Sequence, residues 1–365
     1  PCQTDTARPT VAEEGVVMHH VESMPERVSA FLSFSEPARG AAVCIEYTPM
    51  AGGYSRVMAK ATVEWSDGTV ETVVLRGDPP EGQALIETDR DTEWLVHRAL
   101  TEMGAVNMPA ARYYDHTGEH LGTKCIVMDF VPGQSFQEHV EDRDDHHDQA
   151  VALADQLAQI HCVPVDELPH AMERPHPDTV IDGLIELWRM VSENHVNTNP
   201  VYHYVISWLE RNKPAPMANT LVHGDFQNPN IMVDHAGSRA MIDWEFAHIG
   251  DPREDLGWYN LYSSVAGTNI YEANPEGFLE RYRELTGFSE ADVNQLTVGY
   301  FTIVGAAKVA VEILAAIDGL ARDEVASTMA AHSAVGAITM GNTVYLDAIP
   351  ALDQAMRAIR QGGQA

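Results

Sequence analysis

The stretch Leu221-Val222-His223-Gly224-Asp225-Phe226-Gln227-Asn228-Pro229-Asn230, followed shortly by Met241-Ile242-Asp243-Trp244-Glu245, constrains this chain more than any other part of it. Ile231 to Asp234 and Arg239 to Ile242 are short apolar runs joined by His235-Ala236-Gly237-Ser238, and a turn-rich linker between two such runs predicts a hairpin. A hairpin there returns the chain on itself and sets Asn230 beside Asp243. His223 reads as a structural residue whose ring braces the loop before them.

Oxygen donors in this order suit phosphoryl transfer. Moving a phosphoryl group from ATP to a hydroxyl needs a carboxylate to orient the attacking oxygen and take its proton, and further oxygen ligands to hold Mg²⁺ on the phosphates. Asp225 is placed for the first task. Asn230 and Asp243 fit the second, because Mg²⁺ takes only a few hard oxygens from protein and the rest from phosphate and water. Any one of these residues alone reads equally as a turn former or helix cap; the ordered set does not.

On these residues the chain resembles the aminoglycoside phosphotransferase family, also called the phosphotransferase enzyme family, whose signature is similar to His223-Gly224-Asp225 through Asn230 and Asp243. The similarity runs from about Glu46 to about Asn260. It implies an α+β, two-lobed, protein-kinase-like fold: a small antiparallel sheet with one helix binding nucleotide, residues 1–130, and a larger, mainly helical lobe, residues 131–365, holding the catalytic loop and the acceptor. ATP and Mg²⁺ are the implied cofactors.

The upstream third is read in that light. Val43 to Tyr47, Val57 to Trp65 and Val70 to Arg76 are predicted strands, the last two joined by a hairpin at Ser66-Asp67-Gly68. Gly52, Gly53 and Ser55 between the first two suit a glycine-rich phosphate loop. The third strand ends on Arg76 where kinases carry a phosphate-binding lysine, a substitution that is not neutral because a planar guanidinium is no point charge; Lys60 on the preceding strand is the alternative. Thr88 to Met103 has helical spacing, and the resemblance makes its Glu93 the acid that pairs with the basic residue, in competition with Glu87 and Glu102. Tyr113 to Lys124 and Cys125 to Val131 read as two more strands. Met128, Asp129, Phe130 and Val131 then fall at the crossing between lobes, where the resemblance puts adenine against the backbone.

Beyond the crossing, Gln149 to His161, Val180 to Ser192 and Val201 to Arg211 carry apolar residues at helical spacing. Gly250-Asp251-Pro252-Arg253-Glu254-Asp255 opens another helix, with Asp251 and Asp255 capping it or bracing the catalytic loop. The chain from Phe278 to Met356 is helical in pattern. Its most apolar segment, Thr297 to Ile317, is interrupted by Lys308 and Glu312, which favours a buried helix over a membrane span. Trp258, Tyr259, Tyr262 and Glu312 are candidates for acceptor contact, each also readable as core.

A net charge of −31 argues against nucleic acid and acidic membrane surfaces as partners. The resemblance implies a small-molecule hydroxyl acceptor, and an acidic pocket would suit a cationic one. Cys2, Cys44, Cys125 and Cys162 lack metal-site spacing and fit reduced thiols; with no signal-peptide pattern at the start, a cytoplasmic location is expected. The acidic run with Glu138, His139, His146 and His147 reads as solvated surface. A metabolic hydroxy compound is the favoured acceptor, an aminoglycoside or macrolide the runner-up, and an ATP-binding, pseudokinase-like scaffold the alternative of another class.

Overall fold

The computed structural model describes residues 23–50, 57–79, 88–193, 200–266, 270–321 and 328–362. Helix α1 (Met24–Ser35) is followed by strands β1 (Ala42–Met50), β2 (Val57–Trp65) and β3 (Val70–Gly77), helix α2 (Arg90–Met103), and strands β4 (Ala111–Asp115) and β5 (Cys125–Asp129). The five strands form one antiparallel sheet in the order β1-β2-β3-β5-β4.

Alternation along β2 divides the two faces of this sheet. Ala59, Ala61, Val63 and Trp65 are buried with Val28, Phe31 and Leu32 of α1, a covering helix that the sequence pattern did not announce. Met58 packs on the opposite side with Val74, Ile126, Met128, Phe130 and Trp94 of α2. The Ser66-Asp67-Gly68 hairpin is present, with Gly68 at a φ of +86°.

Tyr113 to Lys124 is not the continuous strand expected. The strand stops at Asp115, whose carboxylate accepts from the amides of Gly118 (3.0 Å), His120 (3.0 Å) and Leu121 (2.7 Å). An aspartate that gathers the amides following it offers the backbone a turn in place of a ladder.

The second lobe begins with β6 (Gln134–Ser135), α3 (Phe136–Glu141), α4 (His146–His161), α5 (Pro177–Ser192) and α6 (Val201–Arg211). Four short strands follow: β7 (Thr220–Val222), β8 (Ile231–Val233), β9 (Arg239–Met241) and β10 (His248–Gly250), with β8 paired to β9 and β10 to β7. The chain closes with α7 (Arg253–Ala266), α8 (Ile270–Ala273), α9 (Pro275–Thr286), α10 (Gln295–Ala321) and α11 (Thr328–Gly362). The molecule is thus the two-lobed α+β arrangement expected, with a small antiparallel sheet and a helical bulk.

Two cores fill the helical lobe. One gathers Leu153, Leu157 and Ile160 of α4 with Leu221, Phe226, Ile231, Met241 and Trp244, so the apolar residues flanking the Asp225 loop are themselves core anchors. The other packs α5, α6, α10 and α11 around Trp188, Trp208, Tyr300 and Phe301. Helices α7 and α10 cross closely at Gly257, where an added Cβ would lie 2.2 Å from the backbone of Phe301. That crossing fixes where Trp258 and Lys308 come to rest. No helix among the described residues is long and apolar enough to cross a membrane.

Gly257→Ala should destabilise the fold by about 1–3 kcal/mol through overpacking. In urea denaturation this appears as a lower midpoint at unchanged slope; an unchanged midpoint would mean the two helices have room to part.

Candidate active site

Strand β7 delivers His223 into a loop whose backbone is held by one buried carboxylate. Asp255, in the first turn of α7, accepts from the amide of His223 (2.7 Å) and of Gly224 (2.9 Å), and His161 of α4 donates to it through Nε2 (3.1 Å). Tyr282 in turn donates to His161 Nδ1 (2.6 Å). Burial opposes the charge on Asp255, but its bonds to His161 and the loop amides outweigh that and hold its pKa below the ordinary value. Asp251 does the capping: it accepts from the Arg253 amide and pairs with the Arg253 guanidinium (2.6 Å). The two acids thus divide the roles expected of them.

His223 supports the loop from inside. Its Nε2 donates to the Ile242 carbonyl (3.0 Å) and its Nδ1 accepts from the Asp225 amide (3.2 Å), a pattern that assigns the neutral Nε2–H tautomer. Burial holds its pKa down, consistent with that form. Gly224 has a φ of +79° and packs against Phe246, whose carbonyl would lie 2.4 Å from any Cβ placed there. Only glycine fits both the conformation and the space.

Asp225 is oriented from three sides. Trp258 Nε1 donates to one carboxylate oxygen (2.8 Å), Asn230 Nδ2 to the other (2.7 Å), and Gln227 Nε2 spans both (2.8 and 3.0 Å). Burial and the neighbouring charge of Asp243 push its pKa up to about 7, against the pull of Trp258, Gln227 and Lys308. Asn230 closes a short 3₁₀ turn, Asn228–Asn230, and its carbonyl accepts from the Ile242 amide (2.9 Å), so the β8–β9 hairpin brings Asn230 and Asp243 together as expected. With its amide nitrogen on Asp225, the Asn230 side-chain oxygen is turned away from that carboxylate. Asp243 adopts a φ of +67°, a conformation that costs energy in a non-glycine residue and recurs at functional sites.

Arg76 joins the two lobes. Its Nε donates to Glu93 (3.0 Å), and its Nη2 reaches Asp243 (2.5 Å) and Glu245 (3.4 Å). Arg90 Nη1 holds the other oxygen of Glu93 (2.5 Å). Glu93 therefore pairs with the basic residue as the resemblance implied, while Glu102 lies on the exposed side of α2 with Arg98. Burial disfavours the Arg76 charge, but Asp243, Glu93 and Glu245 together raise its pKa. Lys60 points elsewhere, 5.7 Å above the Phe130 ring.

At the crossing between lobes, Met128 pairs with Val74 and Asp129 with Val73 inside the sheet. The Asp129 amide donates to Ala110 (3.0 Å) and that of Phe130 to Thr72 (3.4 Å), so their N–H groups are already used. Val131 lies just past the last of these bonds. Gly52, Gly53, Ser55 and Glu87 lie outside the described residues. Tyr259 is core, its hydroxyl bonded to Asn228 (2.6 Å). Among the described residues no cluster of three or more His, Cys, Asp or Glu side chains could hold a metal.

The roles of four residues were missed at the sequence level. Gln227 and Trp258 hold Asp225; only the nearness of Gln227 in the loop signals the first. Lys308 of α10 donates to the Gly224 carbonyl (2.9 Å) from 84 positions away, and nothing local in the sequence announces it. The fourth is His97, one turn after Glu93, which is buried with neither ring nitrogen bonded among the described residues. Burial, then Arg76, lower its pKa to about 3, so it is neutral. A cavity of about 1170 Å³ opens alongside, between the start of α2, α5 and the 247–254 segment, but Asp225, Asn230 and Asp243 are not on its wall.

The sequence model of the phosphotransferase enzyme family matches residues 46–292. Acyl-CoA dehydrogenase family member 11 of Pongo abelii is 26% identical over 202 residues, 53% of this chain and 25% of that protein. The chain thus matches about a quarter of the length of that curated relative. Among solved structures, a candidate aminoglycoside phosphotransferase from Ralstonia eutropha JMP134 superposes with a TM-score of 0.65 at 16% identity, over 88% of this chain and 97% of that one. Choline kinase from Cryptosporidium parvum superposes at 0.56 and 15% identity, over 87% and 90%. At such identities the superpositions speak for the fold.

Asp255→Ala should cost about 3–5 kcal/mol, because it strips a buried charge-assisted network and leaves two loop amides without an acceptor. Asp255→Asn, which keeps an acceptor oxygen, should lose less. Chemical denaturation of both variants measures the difference, and equal losses would show that the charge, not the amide bonding, is what matters.

Proposed function

The chain belongs to the phosphotransferase enzyme family, and we propose that it is a small-molecule phosphotransferase that transfers the γ-phosphoryl group of ATP to a hydroxyl with Asp225 as its catalytic base. The observation that carries this reading is the convergence of Asp225, Asn230 and Asp243 through the Asn230 to Ile242 backbone bond. An oriented, half-neutralised carboxylate near pKa 7 is matched to taking a hydroxyl proton at neutral pH. As that proton passes to Asp225, the acceptor oxygen bonds to the γ-phosphorus. The bond from phosphorus to the bridging oxygen breaks, and ADP leaves with its electron pair.

Asn230 and Asp243 would hold Mg²⁺, which supplies neutralisation of the phosphate charge when bound. The donor set fits: one amide oxygen turned away from Asp225 and one carboxylate, with the guanidinium of Arg76 already on Asp243 as a cation would be. Arg76 positions Glu93 and Asp243, and its Nη1, without a partner among the described residues, is the nitrogen left for a phosphate oxygen. Val131 supplies the backbone amide for adenine, since those of Asp129 and Phe130 are spent in the sheet. Gly52, Gly53 and Ser55 would cover the phosphates. A small hydroxy compound remains the acceptor, with neither nucleic acid nor membrane as partner.

ADP release from Mg·ATP tests this across aminoglycosides, macrolides, amino alcohols, sugars and hydroxy acids. Asp225→Asn should lower kcat by roughly 10²–10⁴ while ATP affinity holds; full turnover in that variant rejects the assignment. In the free enzyme kcat/KM should rise with pH as Asp225 ionises, with a midpoint near 7, because only the ionised carboxylate accepts a proton. Asp243→Ala should weaken Mg·ATP binding in calorimetry, and unchanged affinity would remove Asp243 from the metal site. ATP binding with no acceptor-stimulated turnover would favour a scaffold instead.

A further inference from the structure

Lys308 is the one charged residue in the run Thr297 to Val311, and a lysine in an apolar packing helix costs stability unless its ammonium is used. Here the ammonium is drawn to the reacting loop. It donates to the carbonyl of Gly224 (2.9 Å) and lies over the rings of Trp258 (4.6 Å) and Phe246 (4.8 Å). Trp258 also donates to Asp225 (2.8 Å). One indole therefore has the catalytic carboxylate at its edge and the ammonium on its face.

Building on the phosphotransferase reading, we propose that Lys308 selects the acceptor, which is a hydroxyl compound bearing an anionic group held by this ammonium while its hydroxyl meets Asp225. An ammonium carries three donors, of which the described residues take one. The other cation of the centre, Arg76, is held by Glu93, Asp243 and Glu245 through Nε and Nη2, and the Nη1 it has left is assigned to the nucleotide phosphate. Those acids would repel an anionic acceptor unless a cation faced it from the Trp258 side, and Lys308 supplies that charge.

A cationic acceptor finds no equivalent welcome. Recognition of an ammonium ligand uses open aromatic faces, and the faces of Trp258 and Phe246 already hold Lys308. The acids of the neighbouring cavity are mostly committed as well. Asp182 pairs with Lys213, Glu186 and Glu210 with Arg189, and Glu254 with His248, while Asp89 caps α2. The expectation that the acidic chain favours a cationic acceptor therefore yields to the local arrangement.

The test is acceptor-dependent ADP release by the whole chain with Mg·ATP, using sets matched in size. Glycerate and 3-hydroxybutyrate carry a carboxylate, glycerol 3-phosphate a phosphate ester, glycerol and 3-hydroxybutyramide no charge, and choline and kanamycin a positive charge. Anionic members should exceed their neutral partners in kcat/KM by at least about ten-fold, and the carboxylate and phosphate arms say which anion is taken. Lys308→Met should remove that advantage, mainly through KM, and Lys308→Arg should restore part of it; a merely structural lysine would lower all acceptors alike. Preference for neutral or cationic acceptors, or an advantage untouched by Lys308→Met, overturns the inference and leaves the kinase intact. No turnover in any charge class, with Asp225→Asn indistinguishable from the parent, overturns both.

Discussion

The catalytic loop depends on a single buried carboxylate. Asp255 carries no solvent exposure and satisfies the amides of His223 and Gly224, two donors that have no ladder partner because the chain has just left β7. Burying a charge there is tolerable only because His161 and those amides surround it. From this the order of the site follows. A fixed Gly224 packs on Phe246, a fixed His223 reaches Ile242, and Ile242 in turn ties to Asn230, so Asp225, Asn230 and Asp243 are positioned by a chain of bonds rather than by their own rotamers. Such support is what a reacting constellation requires to stay within tolerance.

Arg76 extends the same frame into the sheet lobe. Its guanidinium touches Glu93 of α2 and both acids that follow the β8–β9 hairpin, so movement of either lobe is felt at Asp243. A lysine at this position is a flexible point charge; an arginine is a planar fork that can engage more than one carboxylate at once. The substitution therefore ties the sheet, the helix and the hairpin through one side chain. The buried neutral ring of His97, one turn from Glu93, fills the space behind this junction without adding charge to it.

Legibility in the sequence followed distance along the chain. Asp225, Asn230 and Asp243 stand within one loop and one hairpin, where local turn chemistry and short apolar runs fix geometry, and their juxtaposition could be read directly. The helix bearing Glu93 and the β2–β3 hairpin were legible for the same reason. Asp115 defeated the strand expected from Tyr113, because a side chain capturing the amides after it competes with a ladder that apolar alternation favours. Trp258 was legible as an acceptor-contact candidate or core aromatic and Lys308 as an interrupting charge, but not as the groups that meet at the Asp225 loop. Their place depends on α7 crossing α10 at Gly257, a tertiary contact that no periodicity encodes. Helix α1 falls in the same class, for its partner is a sheet face and not a neighbour in sequence.

The relation between net charge and acceptor turns on range. At physiological ionic strength exposed charges are screened over about 8 Å, so most of the 54 acidic residues contribute little at Asp225. What acts there, besides burial, is a handful of nearby groups: Asp243 raising its proton affinity, and Trp258, Gln227 and Lys308 lowering it. Lys308 is the only one of these that bears a positive charge, and the low-dielectric aromatic walls around it strengthen its field. A chain that is strongly acidic as a whole can therefore present a positive charge where the acceptor must sit. The sign that matters for recognition is set by one lysine that α10 carries into the loop.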